Sequence, residues 1–252
     1  MAKTIMTVDG RSNRTTDFYA KTNIYMGIGR TTAWTAEPTP DDVVDSFEEV
    51  EELQAIKKVD TKKYVRTQTG GEIVFNGTEW TEVSGTEQTY TASTISFTSA
   101  DTISDSANGL PIFAVGVKIK IIGATNEGYF TVLTSSISAI TVTEAITTQS
   151  EGTAYTVKSN LLTNDVHHLY YESVLDYDNG TPDSLPLITY RQVGLLENPI
   201  DPSGDICTGS VYTSLSATAE FPQGVLHYID NRVPVIRTIS QRESIQLIIE
   251  FW

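Results

Sequence analysis

The sequence predicts a mainly β, α+β protein: an antiparallel β core with one long amphipathic helix and an inserted small all-β barrel or sandwich. Three observations carry this. The C-terminal stretch GVLHYIDNRVPVIRTISQRESIQLIIEFW alternates apolar and polar side chains, with Ile245, Leu247, Ile249 and Phe251 on one face. Residues 40–59 carry apolar side chains at helical spacing, and no other segment does so as clearly. From Thr86 to Lys158 the chain is rich in Ser and Thr and dense in β-branched alternation, and Arg, His, Trp, Met and Cys are absent.

In chain order, residues 1–22 are polar, and Thr16-Asp17-Phe18-Tyr19 reads as a short helical turn. Asn23 to Arg30 reads as a strand with Ile24, Met26 and Ile28 on one face. Gly27 and Gly29, on the other, point to a close backbone approach or a bulge. The helix expected over Pro40–Val59 has Thr39 as N-cap and Asp41 and Asp42 at the positive end of its dipole. Val43, Val44, Phe47, Val50, Leu53 and Ile56 form its apolar stripe, and Asp45, Glu48, Glu49, Glu51 and Glu52 its solvated face. Asn76-Gly77 between Ile73-Val74-Phe75 and Thr78–Val83 is a type I′ hairpin signal.

Within 86–158, strands are expected at Thr94–Phe97, Val115–Ile121, Gly128–Val132, Ala139–Thr143 and Ala154–Val157. Turn signals at Asn108-Gly109, Gly123–Gly128 and Gln149–Gly152 separate them. The sequence is therefore divided into a core from 1–85 and 159–252 and an inserted β-domain at 86–158. Leu187–Leu196 is a further strand. The C-terminal stretch reads as three strands, one of them Val235–Ile239 beginning after Pro234.

The totals exclude several functions. A formal net charge of −15 argues against a nucleic-acid surface and against adhesion to an anionic membrane. A single cysteine, Cys207, leaves neither an intrachain disulfide nor a thiolate metal cluster, and the acidic neighbour Asp205 argues against a reactive thiol. The start Met1-Ala2-Lys3-Thr4 has no apolar signal segment behind it, and no run reaches membrane-span length. A soluble protein made in the cytoplasm is expected.

The motifs that could carry chemistry are each incomplete. Gly27-x-Gly29 lacks the third glycine and the helix of a dinucleotide fingerprint. His168 and Glu172 would share a helix face as a two-ligand metal pair, but no third ligand is identifiable. Asp176-x-Asp178-Asn179-Gly180 has its glycine one residue early for a calcium loop, and no glutamate closes it. The three histidines, His167, His168 and His227, have no serine in a nucleophile elbow to act on. The expectation is no catalytic, cofactor-binding or metal residue, and no cofactor.

Four stretches carry a resemblance. They are Phe18-Tyr19 with Tyr25–Arg30 and Trp34; Lys62–Arg66 after the helix; Tyr190-Arg191-Gln192-Val193 with Leu195-Leu196 and Asn198-Pro199; and Asp230–Ile236 with Gln241-x-Glu243-x-Ile245 and the closing Ile-Ile-Glu-Phe. Together they resemble the bacteriophage baseplate wedge subunits of contractile tails, of the gene-product-eight type. The segment 86–158 is similar to a Ser/Thr-rich β-module of phage structural proteins, around Gly116-x-x-Ile119 and Asn126-x-Gly128-x-Phe130-Thr131-Val132. The resemblance implies a structural, non-enzymatic virion protein of the tail baseplate. It would form a homodimer and dock onto other wedge and tail proteins. The alternative is a tail protein that binds a carbohydrate or receptor or degrades glycans, for which paired carboxylates would have to converge in space.

Overall fold

The computed structural model describes residues 6–35, 49–98, 100–123, 125–175, 189–201, 203–213, 224–236 and 242–251. Among the described residues there are three antiparallel sheets and one short helix, so the mainly β expectation holds. Two compact units divide the chain. The first comprises Met1–Thr16, Lys63–Leu169 and Glu250–Trp252, the second Asp17–Lys62 and Tyr170–Ile249. Among the described residues no helix is long and apolar enough to cross a membrane.

The helix α1 (Val8–Ala20) is longer than the turn expected at 16–19. Thr7 Oγ1 accepts the Gly10 N–H at 3.1 Å and caps it. Apart from the buried Phe18, its inward face is small and polar, so apolar periodicity does not reveal it. Ser12 and Thr15 are buried, Ser12 Oγ donating to Val166 O at 3.1 Å and Thr15 Oγ1 to Arg11 O at 2.8 Å.

The first unit holds a seven-stranded sheet that curls into a nearly closed small barrel. Its strands are β6 (Gln88–Ala92), β7 (Ile95–Thr98), β8 (Thr102–Asp105), β9 (Lys118–Ile122), β10 (Gly128–Ser135), β11 (Ala139–Val142) and β12 (Tyr155–Ser159). They follow the order β6-β12-β9-β10-β11-β8-β7. Alternation does the work: Ile95, Phe97, Ile119, Ile121, Val132, Ile140, Tyr155 and Val157 all point into one core while their neighbours face out. Tyr155 is buried in that core, whereas Tyr129 is exposed beneath the Lys120 ammonium. The buried Asp105 pins the β8 hairpin. It accepts from Thr94 Oγ1 at 2.6 Å and from the Ala107 and Gly109 amides at 3.2 and 2.6 Å. Burial alone would raise its pKa, but these hydrogen bonds outweigh it and hold the carboxyl below its ordinary value.

The third sheet, order β17-β13-β3-β5-β4, contains β3 (Thr61–Thr67), β4 (Ile73–Phe75), β5 (Thr78–Glu82), β13 (His168–Leu175) and β17 (Glu243–Glu250). The β4–β5 hairpin turns as its sequence demands, with Asn76 at φ 49° and Gly77 at φ 76°. Ile245 and Leu247 of β17 are fully buried, as their alternation required.

The second unit is built on a sheet of order β15-β2-β1-β14-β16, comprising β1 (Ile24–Gly29), β2 (Ala55–Lys58), β14 (Thr189–Glu197), β15 (Val211–Thr213) and β16 (Val225–Ile236). All six residues of the central β1 are buried.

Two expectations are corrected here. The long helix does not reach Val59: residues 49–54 form turns and 55–58 are β2, while the part of the helix at 40–48, with its cap at Thr39, lies outside the described residues. The stripe Val50, Leu53, Ile56 has helical spacing, but its burial comes from packing on the glycines of neighbouring strands. Glu52 at φ 48° breaks any helix there. Of the acids, Glu51 and Glu52 stand in a turn and not on a helix face, Glu51 pairing with Arg30, while Asp45 and Glu48 lie outside the described residues. In the C-terminal stretch, β16 runs unbroken through Pro234 rather than starting after it. Pro234 is accommodated because β16 is outermost and its register against β14 shifts between Tyr190 and Gln192.

Candidate functional site

Three of the resemblance stretches, Tyr25–Arg30, Tyr190–Leu196 and Asp230–Ile236, run in the sheet of the second unit, whereas Lys62–Arg66 runs in β3 of another sheet. Gly27 pairs with Gly194 across β1 and β14, and the turn at 50–54 lies on both. A Cβ on Gly27 would stand 2.9 Å from Leu53 Cδ1, and one on Gly29 would overlap Glu51 O and approach Val50 Cγ1 to 2.6 Å. A Cβ on Gly194 would overlap Val50 Cγ2. The two glycines of β1 thus mark the close approach expected of them, not a phosphate cradle.

At the end of β1, Arg30 ion-pairs with Glu51 and lies over the Trp34 ring, 3.4 Å from its centroid. Arg191 Nη1 donates to Thr31 O at 2.6 Å. The buried Gln192 accepts the Glu51 amide at 2.8 Å and donates to Asn231 Oδ1 at 3.0 Å. One polar network therefore ties β1, the 50–54 turn, β14 and β16, and it is built from Arg30, Trp34, Arg191, Gln192 and Asn231, all residues of the resemblance. Its chemistry is positional: the Arg30 ion pair, the Arg191 hydrogen bond and both Gln192 hydrogen bonds are made to other elements of the fold.

Glu52 completes the same turn. Its Oε2 accepts from Thr31 Oγ1 at 2.6 Å and from the Thr31 and Thr32 amides at 2.9 and 3.0 Å. The Thr31 and then the Thr32 hydrogen bonds pull its pKa down to about 2. A depressed carboxylate adds stability above its unfolded pKa, and that stability is lost as pH falls through the folded value. The stability difference between the native protein and Glu52→Gln should therefore shrink between about pH 4.5 and 2. Because Glu52 is largely exposed, the difference at neutral pH should be about 1 kcal/mol or less. Denaturant midpoints of both proteins across that range test it.

What the network positions is an edge. Among the described residues no strand pairs with the outer side of β16, and along it Val225, Val233 and Ile236 are exposed. Arg232, held by Asp230 at 2.6 Å and donating to Gln246 O at 3.1 Å, stands beside Val233.

The remaining candidates fall out differently. His168 and Glu172 do not meet as helical neighbours, because 168–175 is a strand and Glu172 Oε1 accepts from Ser244 Oγ. His168 is instead brought to His167 and to Glu250, at the end of β17, a residue that sequence reasoning did not assign. Only the polar position opposite Ile249 near the chain's end could have signalled it. Burial first, then His167 and Arg11, lowers the His168 pKa to about 4. Asp176-x-Asp178-Asn179-Gly180 lies outside the described residues. His227 pairs with Glu197 at 2.7 Å, and Lys21 reaches the same carboxylate at 2.6 Å. Cys207 is buried with Tyr25, Ile56 and Leu196, and burial and then Asp201 push its thiol up to about 11. An open cleft of about 400 Å³ lined by Thr67–Thr69, Val74 and Gly77–Glu79 offers one carboxylate, Glu79, already bound to the Gly70 amide at 2.6 Å. Glycoside cleavage requires two.

A family model described as "Baseplate wedge 3 tail fiber network component" matches residues 3–107 and 132–251. No curated protein matches the chain at a significant level.

Proposed function

We propose that this chain, which belongs to the baseplate wedge 3 tail fiber network component family, works by self-association into a homodimer that docks onto neighbouring wedge and tail proteins. As a member of that family it is a structural component of the phage tail baseplate, and hence of the virion. The finer reading is a gene-product-eight type subunit of a contractile tail, acting without catalysis of its own. The observation that carries it is the exposed edge of β16, held rigid by the Arg30–Gln192–Asn231 network and studded with Val225, Val233 and Ile236.

A long apolar edge invites pairing, and a two-fold axis lets one strand pair with its own copy and leave no edge over. Pro234 and Arg232 blunt one end of the strand, which favours a closed pair over an open-ended ribbon. The net charge of −15 keeps the free subunit soluble until it finds partners.

Light scattering on the purified chain should give a dimer mass at micromolar concentration and moderate salt. The double substitution Val233→Lys, Ile236→Lys should shift it toward monomer with the fold retained. A strictly monomeric mass for the native chain would remove the quaternary claim. Pull-down against neighbouring tail proteins then tests docking, and hydrolysis of peptidoglycan or capsular glycan by the pure protein would overturn the non-catalytic reading.

The Ser/Thr-rich segment 86–158 is proposed as a module inserted into the wedge core. Support comes from its own apolar core and from ends that meet in register at Gln88 and Ser159, while the family match covers 86–107 and 132–158 and passes over 108–131 alone.

A further inference from the structure

We propose that His167, His168 and Glu250 bind one divalent transition cation of the zinc class, clamping the end of β17 to the turn before β13. The three side chains each offer one ligand atom, and these atoms lie within 4.8 Å of one another. Glu250 Oε1 is 3.4 Å from His167 Nε2 and 3.7 Å from His168 Nε2. Those separations exceed the roughly 2.7–3.2 Å of a hydrogen bond. They match instead the edge of a tetrahedron around a metal with bonds of about 2.1 Å, which is about 3.4 Å.

The backbone arrangement is specific. Consecutive side chains on an extended strand diverge to opposite faces, yet the two imidazoles lie 4.2 Å apart at 41°. The chain achieves this with Asp165, a non-glycine residue at φ 49°, whose turn swings His167 alongside His168. Asp165 O also lies 2.7 Å from His167 Nδ1. That hydrogen bond places the proton on Nδ1 and leaves the Nε2 lone pair aimed toward Glu250, the arrangement found behind metal-bound histidines. The Asp165 carboxylate, 3.6 Å from the same Nδ1 and paired with Arg11 at 3.1 Å, adds a second contact behind the ligand.

The His168 ring is fixed edge-on to Trp80, with centroids 4.8 Å apart. The Phe251 amide donates to His167 O at 2.8 Å, which sets the register of Glu250 over the pair. A lone pair and a carboxylate oxygen facing each other repel unless a proton or a metal cation lies between them, and separations of 3.4 and 3.7 Å are too long for a proton-bridged hydrogen bond. The histidine side chains are 17 and 15 % exposed and Glu250 32 %, so the cation can enter from solvent and keep a water as fourth ligand.

The test uses the full chain without a histidine tag, stripped with a chelator and dialysed against Zn²⁺. Elemental analysis should find one zinc per chain, with micromolar or tighter affinity by competition with a chromophoric chelator, and a higher Tm with zinc present. Co²⁺ should give the intense visible bands of a four-coordinate site. Glu250→Gln and His168→Asn should each weaken zinc binding at least about tenfold. His227→Gln, which removes the unrelated His227–Glu197 pair, should leave it unchanged. Circular dichroism of the metal-free variants separates loss of the ligand from loss of the fold, and the Co²⁺ spectrum of the native chain does not depend on any variant. Substoichiometric zinc, a six-coordinate Co²⁺ spectrum, or binding that survives Glu250→Gln but not His227→Gln would each overturn the assignment. The first of these would leave a plain histidine–carboxylate ion pair.

Discussion

Gly29→Ala should cost about 3 kcal/mol or more and leave little folded protein at physiological temperature. The added Cβ would overlap the Glu51 carbonyl and press on Val50 Cγ1, and the other methyl of Val50, Cγ2, is itself wedged against Gly194. The obstacle is backbone, so no rotamer change relieves it, and the turn at 50–54 would have to lift off β1. Overpacking a tight core typically costs about 1–3 kcal/mol, and displacing a turn that also carries the Glu51–Gln192 hydrogen bond adds to that. Gly128→Ala is the internal control. Its Cβ would meet nothing closer than the Phe130 ring at 3.5 Å, an ordinary contact, so its effect should stay within about 1 kcal/mol. Urea unfolding of both variants decides the matter. Equal midpoints would mean that the turn does not sit on β1 as described.

Deleting Ile245–Trp252 should abolish soluble expression, whereas excising 86–158 with a short Gly/Ser linker should leave a cooperatively folding remainder. β17 stands at the edge of its sheet and not at a centre, yet Ile245 and Leu247 are fully buried. Losing two such side chains removes about 2–5 kcal/mol each and uncovers the apolar surface beneath them. The excision removes a segment that buries its own core, Phe97 against Tyr155 among its contacts, and whose ends already meet.

The excision is not free of consequence. Arg66 and Gln68 donate to the carbonyls of Gly116 and Val115, and Asn164 accepts the Lys118 amide at 2.8 Å. Those groups would turn to water, so the remainder should unfold at lower denaturant than the full chain while keeping a single transition. Soluble yield and denaturant curves of the two deletions, side by side, form the measurement. If the excised protein aggregates and the tail deletion folds, the boundaries at 86 and 158 fall.

The sequence by itself determined whatever depends on short-range pattern. Period-two alternation is written into consecutive residues, so β10, β12 and β17 were legible, and so was the Asn76-Gly77 turn, because only a few residue types tolerate positive φ at both positions. The same holds for the bulk chemistry. A net charge of −15 and one cysteine constrain partners whatever the fold.

The tertiary structure alone decided the rest. Val50, Leu53 and Ile56 have helical spacing, but the glycines at 27, 29 and 194 leave room for a turn there, and that contact outweighs local propensity. The converse holds for α1, whose buried face carries the hydroxyls of Ser12 and Thr15 beside Phe18, and the Val166 carbonyl that satisfies Ser12 lies where sequence cannot place it. Glu250 was unreadable as a ligand for the same reason. Its partners lie far away in the chain, and spacing arguments reach only residues that share an element. His167 and His168 were visible as a pair in sequence, but what they face is fixed by a turn at Asp165 and by the register of the last strand. Local pattern sets which residues can line a face, and only packing sets which faces meet.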